Sequence, residues 1–359
     1  MTKIRAIEVT FNPQMLILAR ESRALTQTIL AKKASISQSN ISRFESGDLL
    51  PDVRQLDRLG KSLDYPVTLF FQTDPVFGYG SSCIYHRKRQ TLPVKEYRTL
   101  LARINVIRMQ VARLLSGVEL DASNSFPRLD IEEYGSPSHI ARLVRGMWNL
   151  PPGPIPNLVV AIESAGGLII RCSFETRKLD AFSQWLPGMP PLFFVNSQSP
   201  MDRCRFTLAH ELGHVIMHVV PSKNLEQEAD EFAAELLMPT SDIAHQLRPL
   251  SLERLAALKP VWRVSMAALA RRARDLRKAS ESQYRRIFTQ LSKLGFRINE
   301  PLPLSIEEPT LIRSIIDLHI KEHGLTLGAL SRMVSSPEEA FAAQYLPEPR
   351  RFRVVASQQ

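Results

Sequence analysis

Residues 205–218 read Arg205-Phe206-Thr207-Leu208-Ala209-His210-Glu211-Leu212-Gly213-His214-Val215-Ile216-Met217-His218, an apolar run interrupted by three histidines and a glutamate. On an α-helix His210 and His214 stand one turn apart on one face, so both imidazoles can reach a single zinc ion. Glu211 beside them can then serve as general base toward the water that the ion activates. Buried without a metal or partners, His, Glu and His would be costly core residues. His218 lies a further turn along, but a straight helix rises about 12 Å between His210 and His218, too far for all three to bind one ion. The spacing therefore predicts a packing or hydrogen-bonding role for His218.

A catalytic zinc takes three protein ligands and a water. The third is expected from the next helix, where Glu226, Glu228 and Asp230 follow His214. Glu226 and Asp230 are four apart, so one face can offer a ligand carboxylate and, a turn later, a carboxylate that orients a ligand histidine. That spacing favours Glu226 over Glu228. Ala229, Phe232, Ala233, Leu236 and Leu237 form an apolar face that would pack this helix under the histidine helix. Spacing alone identifies no side chain that would stabilise an oxyanion. Working back along the chain, residues 167–172, 180–185 and 191–196 are short, β-favouring and bounded by Gly and Pro, which predicts three strands of one small sheet. Helices are expected at about 138–149 and 156–165 before it, and from about residue 202 to the end.

Arg205 to His214, then Glu226 to Pro239, then Trp262 to Ala273 together resemble the ImmA/IrrE family of zinc metallopeptidases. Pro154-Ile155-Pro156-Asn157-Leu158 and Phe193-Phe194-Val195-Asn196 fit the same family, and the resemblance covers about residues 138–290. It implies a gluzincin-like site with Zn2+ held by His210, His214 and Glu226, Glu211 catalytic, and substrates that include DNA-binding repressor proteins.

A second constellation lies near the N-terminus. Thr26 to Ala34 and Ser37 to Gly47, separated by a short bend, read as helix, turn, helix, with Thr26 and Ser37 as N-caps and Gly47 as the stop. Ile29, Leu30, Ala34, Ile36, Ile41 and Phe44 are expected to face inward, leaving Gln38, Ser39, Asn40 and Arg43 outward at the start of the second helix. From a major-groove helix Gln and Asn can bridge adenine, and Arg can reach guanine or phosphate. Thr26-Gln27 with Leu30-Ala31, then Ser37-Gln38 with Ile41-Ser42-Arg43-Phe44-Glu45, then Pro51 with Leu56, Leu59-Gly60 and Leu63, resemble the XRE family of Cro- and phage-repressor-type domains over about residues 12–71. The resemblance implies DNA contacts by Gln27, Gln38, Ser39, Asn40 and Arg43. Ser35 departs from the pattern where the turn often carries Gly.

The expected class is α+β: an all-helical helix-turn-helix domain (1–73), a linker with a long basic amphipathic helix (74–137), a mostly helical zincin-like domain with a small β-sheet (138–290) and a helical C-terminal extension (291–359). Leu100, Ile104, Ile107, Val111 and Leu114 make one apolar stripe on the long helix, which needs a surface to pack on. Arg98, Arg103, Arg108 and Arg113 recur every five residues, which steps each about 140° around the axis and disfavours a DNA-binding row. A second basic cluster, Arg271, Arg272, Arg274, Arg277 and Lys278, suits DNA, a substrate or solvent. His319 and His323 are one turn apart but have no third ligand near in sequence.

Composition bounds the rest. The 359 residues are 44% apolar and 23% charged, which excludes disordered and fibrous classes for most of the length. A net charge of +10 favours a polyanionic partner such as nucleic acid. Three cysteines with no CxxC pair predict reduced core thiols, and no apolar run reaches the length of a membrane span, so a cytoplasmic protein is expected. Taken with the two resemblances, these features lead to the expectation of a transcription regulator that binds a double-stranded DNA operator, with a homodimer as one possible form, and carries a zinc endopeptidase. Its substrate would be a protein such as a repressor or a toxin–antitoxin partner. The alternative is a non-proteolytic repressor or antitoxin in which the peptidase fold senses or supports.

Overall fold

Four side chains start the first four helices. Asn12, Thr26, Ser37 and Asp52 each accept a backbone N–H two or three residues on, opening helices Pro13–Ser22, Gln27–Ala34, Gln38–Ser46 and Val53–Leu63. Each such cap is worth about 1 kcal/mol. Gly47 ends the third helix at φ +83°, a left-handed conformation that glycine adopts without steric cost. Ser35 ends the second at φ +52°, so the serine takes the conformation for which glycine is usual, and its carbonyl accepts from Arg58 Nη1 at 3.0 Å.

The computed structural model describes residues 10–77, 93–176, 179–218 and 224–346. They form two compact units whose bounds differ from the four segments expected from sequence. Among the described residues the first gathers 10–76, 94–118 and 312–346; the second holds 119–176, 179–218 and 224–311.

In the first unit Met15, Leu16, Leu30, Ile41, Phe44, Leu59 and Phe70 make a core that also takes in Ala102, Val106 and Met109 of the long helix Val94–Leu114. The helix thus meets the N-terminal bundle through Ala102, Val106 and Met109 and not through the expected stripe, although Leu100, Ile104, Ile107, Val111 and Leu114 are buried as well. Ile29, expected inside, is 45% exposed. The arginines of the long helix are turned to internal use: Arg103 Nε donates to Ser22 O at 2.8 Å, Arg108 to Pro75 O, and Arg113 pairs with Asp74. C-terminal residues brace the same helix. His319 Nε2 lies 2.7 Å from Leu114 O, and Tyr345 donates to Gln110 Oε1 at 2.7 Å.

In the second unit strands β1 (Leu168–Cys172), β2 (Ala181–Gln184) and β3 (Leu192–Asn196) form one sheet of order β1-β3-β2, with β1 parallel and β2 antiparallel to β3. Beside it runs the histidine helix Met201–Met217, and against that helix packs the acidic helix Leu225–Leu237. Gly213 permits their close approach: a Cβ there would stand 3.0 Å from Phe232 Cδ1. Buried ion pairs tie distant segments to the start of the histidine helix. Arg205 meets Glu307, and the fully buried Lys259 ammonium binds Asp202 at 2.5 Å and Glu300 at 2.9 Å. Removing one partner of such a pair would cost about 3–5 kcal/mol, because the other charge is left buried alone. Cys172 and Cys204 are buried, reduced cysteines, and burial pushes the Cys204 thiol up to about 12. Cys83 and the basic residues Arg87, Lys88 and Arg89 lie outside the described residues. Among the described residues no helix is long and apolar enough to cross a membrane.

Candidate functional site

His210 and His214 turn their Nε2 atoms toward each other at 3.0 Å. The Glu226 carboxylate closes the triangle, 3.5 Å from His210 Nε2 and 3.6 Å from His214 Nε2. The 3.5 Å is measured to Glu226 Oε2 and the 3.6 Å to Oε1, and one donor atom from each of the three residues lies within 4.8 Å of the others. Donors about 2.0–2.1 Å from a tetrahedral zinc stand about 3.4 Å apart, so the two imidazoles and the carboxylate need only small adjustments to hold one ion. Both imidazoles are buried while Glu226 keeps 30% of its side chain exposed, which leaves one side open to solvent.

The surrounding groups fix the ring orientations. Asp230 Oδ1 is 2.8 Å from His210 Nδ1, an acceptor that keeps a proton on that nitrogen and lets Nε2 turn to a metal. His214 Nδ1 lies 2.8 Å from His218 Nδ1, and His218 Nε2 lies 3.1 Å from Glu228. One tautomer set satisfies this row with His214 Nε2 left as a lone pair: His214 Nδ1–H donates to His218, and His218 Nε2–H donates to Glu228. Burial, reinforced by His214 and His210, lowers the His218 pKa to about 3, so its ring is neutral and can accept. Without a metal, burial works against charge on His210, but the hydrogen bonds of Asp230 and Glu226 outweigh it and raise its pKa to about 9, so zinc would have to displace the proton on Nε2. Burial would raise Glu226; hydrogen bonds from His210 and His214 hold it well below the usual carboxylate range instead. A pocket that gathers Glu211, Glu226, Glu228 and Asp230 around imidazoles is electrostatically suited to a dication.

The donor set therefore fits zinc. Glu211 lies in the same place, 3% exposed, with Oε2 accepting from Ser183 Oγ at 2.8 Å. Ser183 sits on β2, a strand buried on both faces, so the period-2 alternation that marks a site-facing side chain in sequence is missing there. Arg271 Nη1 adds a further partner, 3.4 Å from Asp230, whereas Arg272 of the same basic cluster is buried against Glu235 and the Met238 carbonyl. If His218 orients His214, His218→Ala should weaken zinc binding by about 10- to 100-fold without abolishing it. Competition with a chromophoric chelator would read this, and an unchanged affinity would reduce His218 to packing.

Residues 162–274 match the family described as the IrrE N-terminal-like domain.

Residues 16–70 match the family described as helix-turn-helix. The chain thus joins these two domains in the order expected from its sequence. No curated protein matches it.

Within the helix-turn-helix match, Gln38, Ser39 and Arg43 are exposed on the helix Gln38–Ser46, and Asn40 is half-buried. Gln27 supports this face from the preceding helix: its carbonyl accepts from Gln38 Nε2 at 2.9 Å and its amide donates to Glu45 at 2.8 Å. Glu45 is itself held by Arg20 through two nitrogens, at 2.5 and 2.9 Å. Gln38 is consequently fixed by a chain of hydrogen bonds.

Proposed function

We propose that this protein is a DNA-binding transcription regulator carrying a zinc endopeptidase that cleaves a regulatory protein, such as a repressor or a toxin–antitoxin partner. The convergence of His210, His214 and Glu226 on one point, with Glu211 beside them, carries the enzymatic half. His210, His214 and Glu226 would hold the ion, and Asp230 would orient His210. Zinc held there supplies Lewis acidity to the scissile carbonyl and the attacking water. Glu211, steadied by the Ser183 hydroxyl, accepts the proton of that water and returns it to the leaving amine. Incubating the zinc-loaded chain with proteins encoded beside it and mapping products by mass spectrometry tests this half. Chelator-sensitive cleavage at one or a few sites is expected, and intact partners throughout would leave the non-proteolytic alternative.

The DNA-binding half rests on the helix-turn-helix match and on the exposed Gln38, Ser39 and Arg43. A homodimer would place two such helices on the half-sites of a palindrome in double-stranded DNA. Each good bidentate base contact is worth about 1–3 kcal/mol of discrimination. Replacing Gln38 and Arg43 together by Ala in the full chain should therefore weaken binding to a selected operator by about 30-fold or more in a gel-shift titration. Unchanged affinity and sequence preference would mean that another surface reads the DNA.

A further inference from the structure

A cavity of about 480 Å³ opens along the histidine helix in the second unit. Its lining residues Arg203, Phe206 and Thr207 precede His210 by seven, four and three positions, so they lie on the same side of that helix as the first ligand. Thr207 is only about 4.5 Å along the axis from His210. An extended peptide advances about 3.3 Å per residue, so a chain with its scissile bond at the histidines would enter the cavity within about three residues.

The lining is of two kinds. Half-buried Phe206, Phe288, Phe296 and Ala268 give apolar walls. The charged groups divide unequally. Asp202 and Glu300 are both taken by Lys259, and Glu300 also accepts the backbone N–H groups of Met266 and Ala267 at 2.8 and 3.2 Å. Of the arginines, Arg203 meets Asp180 at 2.8 Å and Arg271 meets Asp230 at 3.4 Å. Arg297, at the exposed rim, lies over the Phe288 ring at 6.0 Å and forms no ion pair among the described residues. The lining acids are thus satisfied internally, and of the named arginines Arg297 alone forms no ion pair among the described residues, which favours an occupant that is apolar and carries an anion.

We infer that this cavity holds an apolar side chain of the cleaved protein, with a neighbouring acidic residue set against Arg297, within about three residues of the scissile bond. This rests on the peptidase reading proposed above, and two measurements on the zinc-loaded full chain keep the two apart. The first uses the aromatic anion anilinonaphthalene sulfonate as probe. Saturable fluorescence is expected, weakened tenfold or more by Ala268→Trp, which fills the cavity, and by Arg297→Glu, which inverts the rim charge at an exposed position where folding is not at stake. The amide of acetyl-Leu-Asp should displace the probe and that of acetyl-Leu-Lys should not. The second uses a degenerate peptide mixture, in which cut sites should be enriched in Leu or Phe beside Asp or Glu, the enrichment being lost in Arg297→Glu. Cleavage with the same preference in both variants overturns the cavity's role and leaves the peptidase standing. Probe binding indifferent to both variants does the same. No cleavage by the unaltered protein, with probe binding intact, overturns the peptidase and with it the peptide occupant.

Discussion

His210→Ala and Glu226→Ala are each expected to abolish tight zinc retention. Zinc sites are worth about 10–16 kcal/mol in small folded domains, so the loss of one ligand out of three or four removes about 3–4 kcal/mol, on the order of 100- to 1,000-fold in affinity. The loss should exceed that from His218→Ala, because His210 Nε2 and Glu226 lie at the corners of the donor triangle whereas His218 touches the site only through His214. Metal analysis after dialysis against a competing chelator reads both changes. Thermal unfolding of each variant in excess zinc separates lost ligation from lost folding. Zinc retained by Glu226→Ala would move the ligand to Glu228, which lies 3.1 Å from His218 and could reach the ion only with His218 displaced.

The parts of this site that follow from local spacing were legible in the sequence. His210, Glu211 and His214 sit on one face because 3.6 residues make a turn, and the four-residue step from Glu226 to Asp230 set two carboxylates where one can ligate and the other can orient. What escaped depends on contacts between elements distant in sequence. Ser183 reaches Glu211 across 28 positions, and Arg271 reaches Asp230 across 41. Neither residue carries a local mark of its partner. The arginines of the long helix show the same limit from the other side. Their five-residue spacing argued against a DNA-binding row but could not reveal that Arg103, Arg108 and Arg113 bond to Ser22, Pro75 and Asp74. Since Ala102, Val106 and Met109 complete the core of the N-terminal bundle, a fragment ending near residue 80 would expose apolar surface, and DNA binding is better measured on the full chain. Ile29 was misplaced because the apolar pattern of an eight-residue helix is too short to fix which edge of its stripe faces solvent.

Glu211→Gln should separate peptidase from scaffold. The substitution keeps size and shape, and the Ser183 hydroxyl, which donates to Glu211 Oε2 at 2.8 Å, can rotate to accept from an amide nitrogen, so the side chain stays in place. What disappears is the proton acceptor. Zinc content, thermal stability and operator binding should persist, because neither the three-donor set nor the helix-turn-helix face includes this residue. Cleavage of the physiological partner should fall by about 100-fold or more, the range for lost general acid–base help. In cells the controlled promoter should then stay locked under inducing conditions, and comparing its output in strains with Glu211 and with Glu211→Gln measures this directly. Induction at the normal level with Glu211→Gln, with zinc content and stability unchanged, would show that regulation does not pass through proteolysis and would leave a zinc-binding repressor or antitoxin.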